Sequence, residues 1–248
     1  MPRLPRQKSE SGIYHIMLRG INQQVIFEDE EDYLKFVETL INYKAISGYK
    51  LFAYCLMSNH IHILLQVGKE ELDIILKRIA GSYVYWYNWK YYRKGHLFQD
   101  RFRSEAIDDT DYFLTVLRYI HQNPIKAGIV DKIGKYKYSS YNEYERNDNG
   151  FIDKAFVFDM IGYEALIAYL NEETEDKCLD VDDLVFRLSD ADAMKEIKKV
   201  SGCNDATEFQ VLDRPQRDKY IKKLKKDGLS IRQISRLTGI SFAIVRRL

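Results

Sequence analysis

The chain has 248 residues, 46% hydrophobic and 30% charged, with a formal net charge of +1. That balance is ordinary for a soluble globular protein, and the length is enough for a domain with an appendage or for two domains. No run of 18 or more apolar residues occurs and "MPRLPRQKSE" at the start has no secretory h-region, so neither a membrane-spanning nor a secreted protein is expected, and a cytoplasmic, nucleoid-associated one is.

Taken in chain order, "SGIYHIMLRG" (11–20) alternates as a strand, with Ile13, His15, Met17 and Arg19 on one face and Tyr14, Ile16 and Leu18 on the other. "DEEDYLKFVETLINYKAIS" (29–47) reads as a helix with an acidic first turn, stopped by Gly48. "YKLFAYCLM" (49–57) is a strand, Ser58–Asn59 a tight turn, and "HIHILLQV" (60–67) its hairpin partner. A long helix (70–92) and a loop leading into a strand (94–107) follow. "DTDYFLTVLRYIHQN" (109–123) is a helix capped by Asp109 and expected to stop at Pro124. The order β-α-β-β-α-β-α predicts an α+β fold: a ferredoxin-like, four-stranded antiparallel sheet with two helices on one face and a third over or beside it.

Beyond 125 the spacing predicts irregular structure with short helices, and charge sets the expected boundaries. Residues 1–150 carry 21 Lys and Arg against 19 Asp and Glu, residues 151–210 carry 6 against 15, and residues 211–248 carry 11 against 3. An acidic helical segment is therefore expected at 151–210, with "EDKCLDVDDL" (175–184) opening its most acidic part, and a basic tail at 211–248. In the tail, a helix (214–226), an N-cap at Ser230, a helix (231–237), a turn at Gly239 and a last helix from Ser241 make a helix-turn-helix pattern in an all-α C-terminal region. Its arginines Arg232, Arg236, Arg246 and Arg247 are candidates for binding duplex DNA; a solvated basic face for dimer contacts is the other reading. The three cysteines, Cys55, Cys178 and Cys203, have no zinc spacing and read as thiols in a reducing compartment.

The chemistry concentrates in "MSNHIHILL" (57–65), where two of the five histidines stand one residue apart. Period-two alternation turns His60 and His62 to one face, about 6–7 Å apart at Cα, close enough to share a divalent ion. Spacing alone leaves open a pair of hydrogen-bonded structural histidines. A third ligand has to come from elsewhere, and "RYIHQNP" offers one: Tyr119 and Asn123 are four apart on a helix and share a face, from which His121 points away. An amide oxygen there could complete a metal site beside a phenol. The 19 tyrosines give spacing no means of choosing one as a nucleophile.

"YHIMLRGINQQVIF", "YCLMSNHIHILL", "GHLFQDRFRSEAI" and "YIHQNPIKAGIVDKIGKYKYSSY" resemble, in this order, the blocks of single-tyrosine HUH transposases, in particular the REP-associated tyrosine transposases, over about residues 10–145. The resemblance implies an HUH endonuclease core that cuts and rejoins single-stranded or hairpin DNA. His60 and His62 would hold Mg²⁺ or Mn²⁺, with Asn123 as the third ligand. Tyr119 would attack the scissile phosphate, leaving a 3′-hydroxyl and a 5′-phosphotyrosine. Arg19, Asn22, Gln23, Arg101 and Arg103 fall in blocks expected to touch DNA, and Tyr83, Tyr85, Trp86, Tyr87, Trp89, Tyr91 and Tyr92 are candidates for stacking on bases or for packing. A monomer or a homodimer is compatible with this, as is a tyrosine acting in cis or in trans. The other classes are a non-catalytic DNA-binding regulator on the same fold and a replication-initiator or relaxase nickase.

Overall fold

The structure is a computed structural model that describes residues 7–99, 101–146, 150–174, 176, 178–179 and 190–248. Its first elements are β1 (Ile13–Arg19), α1 (Glu30–Ser47), β2 (Lys50–Leu56), β3 (His60–Gln66), α2 (Leu72–Lys90), β4 (Arg103–Ile107) and α3 (Thr110–Lys126). The strands form one antiparallel sheet in the order β2-β3-β1-β4, the arrangement expected of a ferredoxin-like α+β fold.

Local chemistry fixes the element ends. Asp29 and Asp32 form a reciprocal capping box at the start of α1, and Gly48 closes it in the left-handed region at φ 67°. Lys90, in the last turn of α2, reaches back to Asp29 and Asp32 at 2.7 and 2.8 Å, tying the two helices together. Pro124 does not end α3, contrary to the sequence expectation. The stop lies further on: Gly128 takes φ 68°, its N–H donates to Ile125 O, and Ile129 N–H donates to Pro124 O. That glycine-based cap satisfies the last carbonyls, so the proline is accommodated within the final turn.

The register sets the two faces of the sheet. In the β1–β3 pair, Arg19 lies opposite His60, Met17 opposite His62 and His15 opposite Leu64. These side chains share the face on which α3 lies. Ile16, Leu18, Ile61 and Ile63 point to the other side, where they are buried and where the crossover helices α1 and α2 pack on each other. Each such fully buried side chain contributes about 1.5–3 kcal/mol.

The C-terminal region is helical, with α4 (Tyr141–Glu145), α5 (Lys154–Ile161), α6 (Tyr163–Asn171), α7 (Asp190–Ser201), α8 (Ala206–Gln210), α9 (Arg214–Lys226), α10 (Ile231–Thr238) and α11 (Phe242–Arg247). Val157, Leu166 and Leu170 belong to the first core, and the Phe52 ring meets Phe113 and Phe156 at 5.2 and 4.8 Å. A second core gathers Ile197, Phe209, Ile221, Leu224, Ile234 and Val245. The cores therefore divide between α6 and α7, whereas the charge pattern had placed boundaries at 150 and 210. Of "EDKCLDVDDL", residues 175, 177 and 180–184 lie outside the described residues.

One polar joint connects the cores. Arg236 donates to Glu28 O at 2.7 Å and to the Asp190 carboxylate at 2.6 Å, and Arg232 donates to the Tyr87 hydroxyl at 2.9 Å. The Glu28 carboxylate lies 3.5 Å from Arg236 and 3.7 Å from Arg232. Burial pushes the Glu28 carboxyl up to about 7, against the pull of Arg236 and Arg232 and with some help from Asp32 and Asp190. A folded-state pKa raised from 4.5 to about 7 stabilises fully below the lower value, and the contribution is lost as pH rises through the upper one. Between pH 5 and 8 wild type is expected to lose on the order of 3 kcal/mol from this group, while Glu28→Gln, which cannot titrate, gives a flatter profile. Denaturant unfolding of both proteins across that range checks this; parallel profiles would contradict it.

Candidate active site

His60 and His62 leave β3 on the α3 side with their rings 5.1 Å apart and perpendicular, and both are buried. From α3, Asn123 brings its side-chain oxygen to 3.4 Å from His60 Nε2. One turn earlier, the Tyr119 ring lies 5.7 Å from that of His62, and the residue is only 2% exposed. The structure thus gathers His60, His62, Asn123 and Tyr119 into one cluster, as the spacing had suggested. His121 turns to the far side of the helix, where its Nε2 meets Ser140 Oγ at 2.8 Å and burial lowers its pKa to about 3.

Hydrogen bonding orients the rings. The amide oxygens of Asn59 and Asn123 lie 2.8 Å from His60 Nδ1 and 3.4 Å from Nε2; both only accept, so a neutral ring donates to one of them, and the shorter contact favours the proton on Nδ1. His62 is held neutral: burial, then the neighbouring His60 and His15, push its pKa well below the usual imidazole value. Two imidazoles and an amide oxygen make a mixed nitrogen and oxygen donor set. This suits Mn²⁺ better than Mg²⁺, which prefers oxygen throughout. Among the described residues no group of three or more His, Cys, Asp or Glu side chains is placed to hold a metal, so an ion here would depend on the amide and on oxygens of water and substrate.

Three neighbours escaped the sequence reading. His15 Nε2 lies 3.0 Å from His62 Nδ1, and His15 Nδ1 is 3.7 Å from Glu105. That contact with His15 holds the Glu105 carboxyl below its usual range. Lys126 places its ammonium over the Tyr119 ring, 4.7 Å from the centroid. Alternation had put His15 on the right face; only the β1–β3 register shows which residues it meets.

The residues expected to contact DNA divide into three groups. Arg19 stands opposite His60, and Arg103 opposite Met17, so both share the histidine face, with exposed Arg101 just before β4. Asn22 and Gln23 follow β1 in a short 3-10 turn, Ile21–Gln23, with φ of 50° and 57°, a conformation that costs energy for any residue but glycine. Arg246 and Arg247 are exposed on α11, whereas Arg232 and Arg236 are engaged in the joint with Glu28, Asp190 and Tyr87. Of the aromatics in and just after α2, Tyr83 and Tyr87 are buried, with Tyr83 donating to Ile26 O at 2.6 Å, while Tyr85, Trp89 and Tyr92 are 79%, 72% and 98% exposed.

With this geometry in place, comparison with known proteins gives the chain's similarities. Residues 8–123 match the family "Transposase IS200 like". A Haemophilus influenzae protein assigned as a REP-associated tyrosine transposase is 28% identical over 106 residues, 38% of this chain and 60% of that protein. The match thus spans about three-fifths of the relative's length. A solved REP-associated tyrosine transposase bound to a REP hairpin shares the fold, with a TM-score of 0.56 at 14% identity over 74% of this chain and 98% of that one.

The turn after β1 also yields a stability test. A Cβ on Gly20 would clash with Gln24 O, whereas one on Gly81, within α2, would meet nothing within 4 Å. Gly20→Ala is expected to cost about 1–3 kcal/mol, and Gly81→Ala to gain about 0.5–1 kcal/mol, in denaturant unfolding. The same sign for both would refute this account of the turn.

Proposed function

We propose that this chain cuts and rejoins single-stranded DNA in a metal-dependent reaction through a 5′-phosphotyrosine at Tyr119. The observation that carries the reading is the meeting of Tyr119 and Asn123 from one helix with His60 and His62 from one strand. The Tyr119 oxygen forms the new bond to phosphorus, the bond from phosphorus to the 3′ oxygen breaks, and the phenol gives up its proton while the departing oxygen gains one. Rejoining is the reverse, with the phosphotyrosine conserving the bond energy. A divalent ion held by His60, His62 and Asn123 would polarise the scissile phosphate and offset the charge that develops on it. His60, its proton favoured on Nδ1 by Asn59, keeps Nε2 aimed at that position without rearrangement. The 5.7 Å between the Tyr119 and His62 rings of one chain supports a tyrosine that works with its own chain's histidines.

A REP hairpin occupies the fold neighbour, and hairpin DNA is the substrate class we propose here. Arg19, Asn22, Gln23, Arg101 and Arg103 surround the histidine face as candidate strand contacts. Arg246 and Arg247 on α11, with exposed Lys219, Lys222, Lys223 and Lys226 on α9, form a basic surface for duplex phosphates.

Incubation with labelled hairpin DNA and Mn²⁺ is expected to give an SDS-resistant adduct in wild type and none in Tyr119→Phe. His60→Ala and His62→Ala should lose cleavage while still binding the hairpin. An adduct persisting in Tyr119→Phe would remove Tyr119 as the nucleophile; binding with no adduct on any hairpin would favour the regulator class. For the tail, replacing both Arg246 and Arg247 by alanine should make the log–log salt dependence of duplex binding shallower by about 1–2, the effect of one or two lost phosphate contacts. An unchanged slope would place the contact elsewhere.

A further inference from the structure

His15 takes no part in the cleavage chemistry above, yet it is completely buried against a residue that does. It sits opposite Leu64, one diagonal step from His62 across the β1–β3 pair, within reach of a ring. The rings are 5.2 Å apart at their centroids, with His15 Nε2 and His62 Nδ1 at 3.0 Å. The other nitrogen of His15, Nδ1, faces Glu105 at 3.7 Å from β4. Both nitrogens of His15 are thus turned to neighbours, which argues against His15 as a ligand itself.

The proton positions follow from the donor and acceptor chemistry. A carboxylate only accepts, and Glu105 at 3.7 Å, beyond hydrogen-bond range but close enough to act electrostatically, favours a neutral His15 with its proton on Nδ1. Its Nε2 is then an acceptor, and the His62 atom it meets, Nδ1, must donate. This leaves the lone pair of His62 on Nε2. We propose that His15, oriented by Glu105, is a positioning residue that fixes His62 as the Nδ1–H form and aims its Nε2 at the cation. The proposal rests on the reading of His60, His62 and Asn123 as metal ligands, and it adds a chain of three strands, β4 to β1 to β3, that presets one of them. His60 receives the matching service from Asn59 at 2.8 Å, so each imidazole would have its own orienting partner.

Two measurements on the full chain test it. Calorimetric titration with Mn²⁺ is expected to show binding in wild type, about 10–100-fold weaker binding in His15→Leu, and recovery of most of that loss in His15→Gln, whose amide oxygen can still accept from His62. A merely structural role predicts no rescue by glutamine beyond what thermal stability recovers, so melting temperatures are recorded alongside. Long-range ¹H–¹⁵N correlation spectra of metal-free wild type are expected to show His62 protonated at Nδ1, a readout independent of whether any variant folds. Equal Mn²⁺ affinity in wild type and His15→Leu, or a His62 protonated at Nε2, overturns the positioning role while leaving the metal site standing. Wild type that takes up no Mn²⁺ overturns the metal site and this role together.

Discussion

The pairing of β1 with β3 is the constraint on which the rest depends. Register in a sheet with one occupied face is all or none, because a slip by one residue moves every side chain to the other side. Here the slip would carry His60 and His62 into the layer beneath α1 and α2, and Ile61 and Ile63 up toward α3. The hydrophobic alternation of both strands opposes it: Ile16, Leu18, Ile61 and Ile63 are all buried in the helix-covered layer. The apolar core therefore holds the polar site in register. The chemistry is placed by residues that take no part in it.

Much of this was legible from residues alone, because it depends on local periods and caps. Alternation turned the two imidazoles to one side, four-residue spacing joined Tyr119 to Asn123, and Gly48, Asp109, Ser230 and Gly239 marked helix ends. What escaped was non-local. Pro124 looked like a stop because its own chemistry is a helix breaker, while the cap that actually ends α3 is assembled by Gly128 and Ile129. Arg232 and Arg236 looked like part of a basic surface because their partners, Glu28 and Asp190, lie 208 and 46 residues away from Arg236. His15 and Glu105 could be assigned to faces, but their contact needs three strands placed side by side.

The joint at Glu28 gives those two arginines a different physical role from the one charge suggested. A buried carboxylate beside Asp32 would be costly alone, and guanidinium groups from α10 provide the compensating charge. The same neighbourhood contains the capping box of α1 and Lys90 of α2, so the start of one crossover helix, the end of the other and α10 share one polar cluster. Removing an arginine from it would leave a buried acid uncompensated, a larger effect than losing a surface ion pair. With α10 held in this way, α11 and the outer face of α9 remain turned to solvent.

Helix α3 serves two layers at once, and this couples them. Its Tyr119 and Asn123 face the histidines, while Arg118 pairs with Glu172 and Asp176 at 3.0 and 2.8 Å and Gln122 donates to Leu170 O and Glu172 O. Phenol and amide sit on the same rigid element, one turn apart, so neither can move far without the other. A phosphate can reach a phenol that is 2% exposed only if the helix or its cover shifts. A shift of α3 as a unit would carry the Asn123 oxygen away from His60 together with the Tyr119 hydroxyl, the proposed nucleophile. In the proposed reaction, access to Tyr119 and completion of the His60, His62 and Asn123 donor set would then be linked, because both depend on the position of one helix.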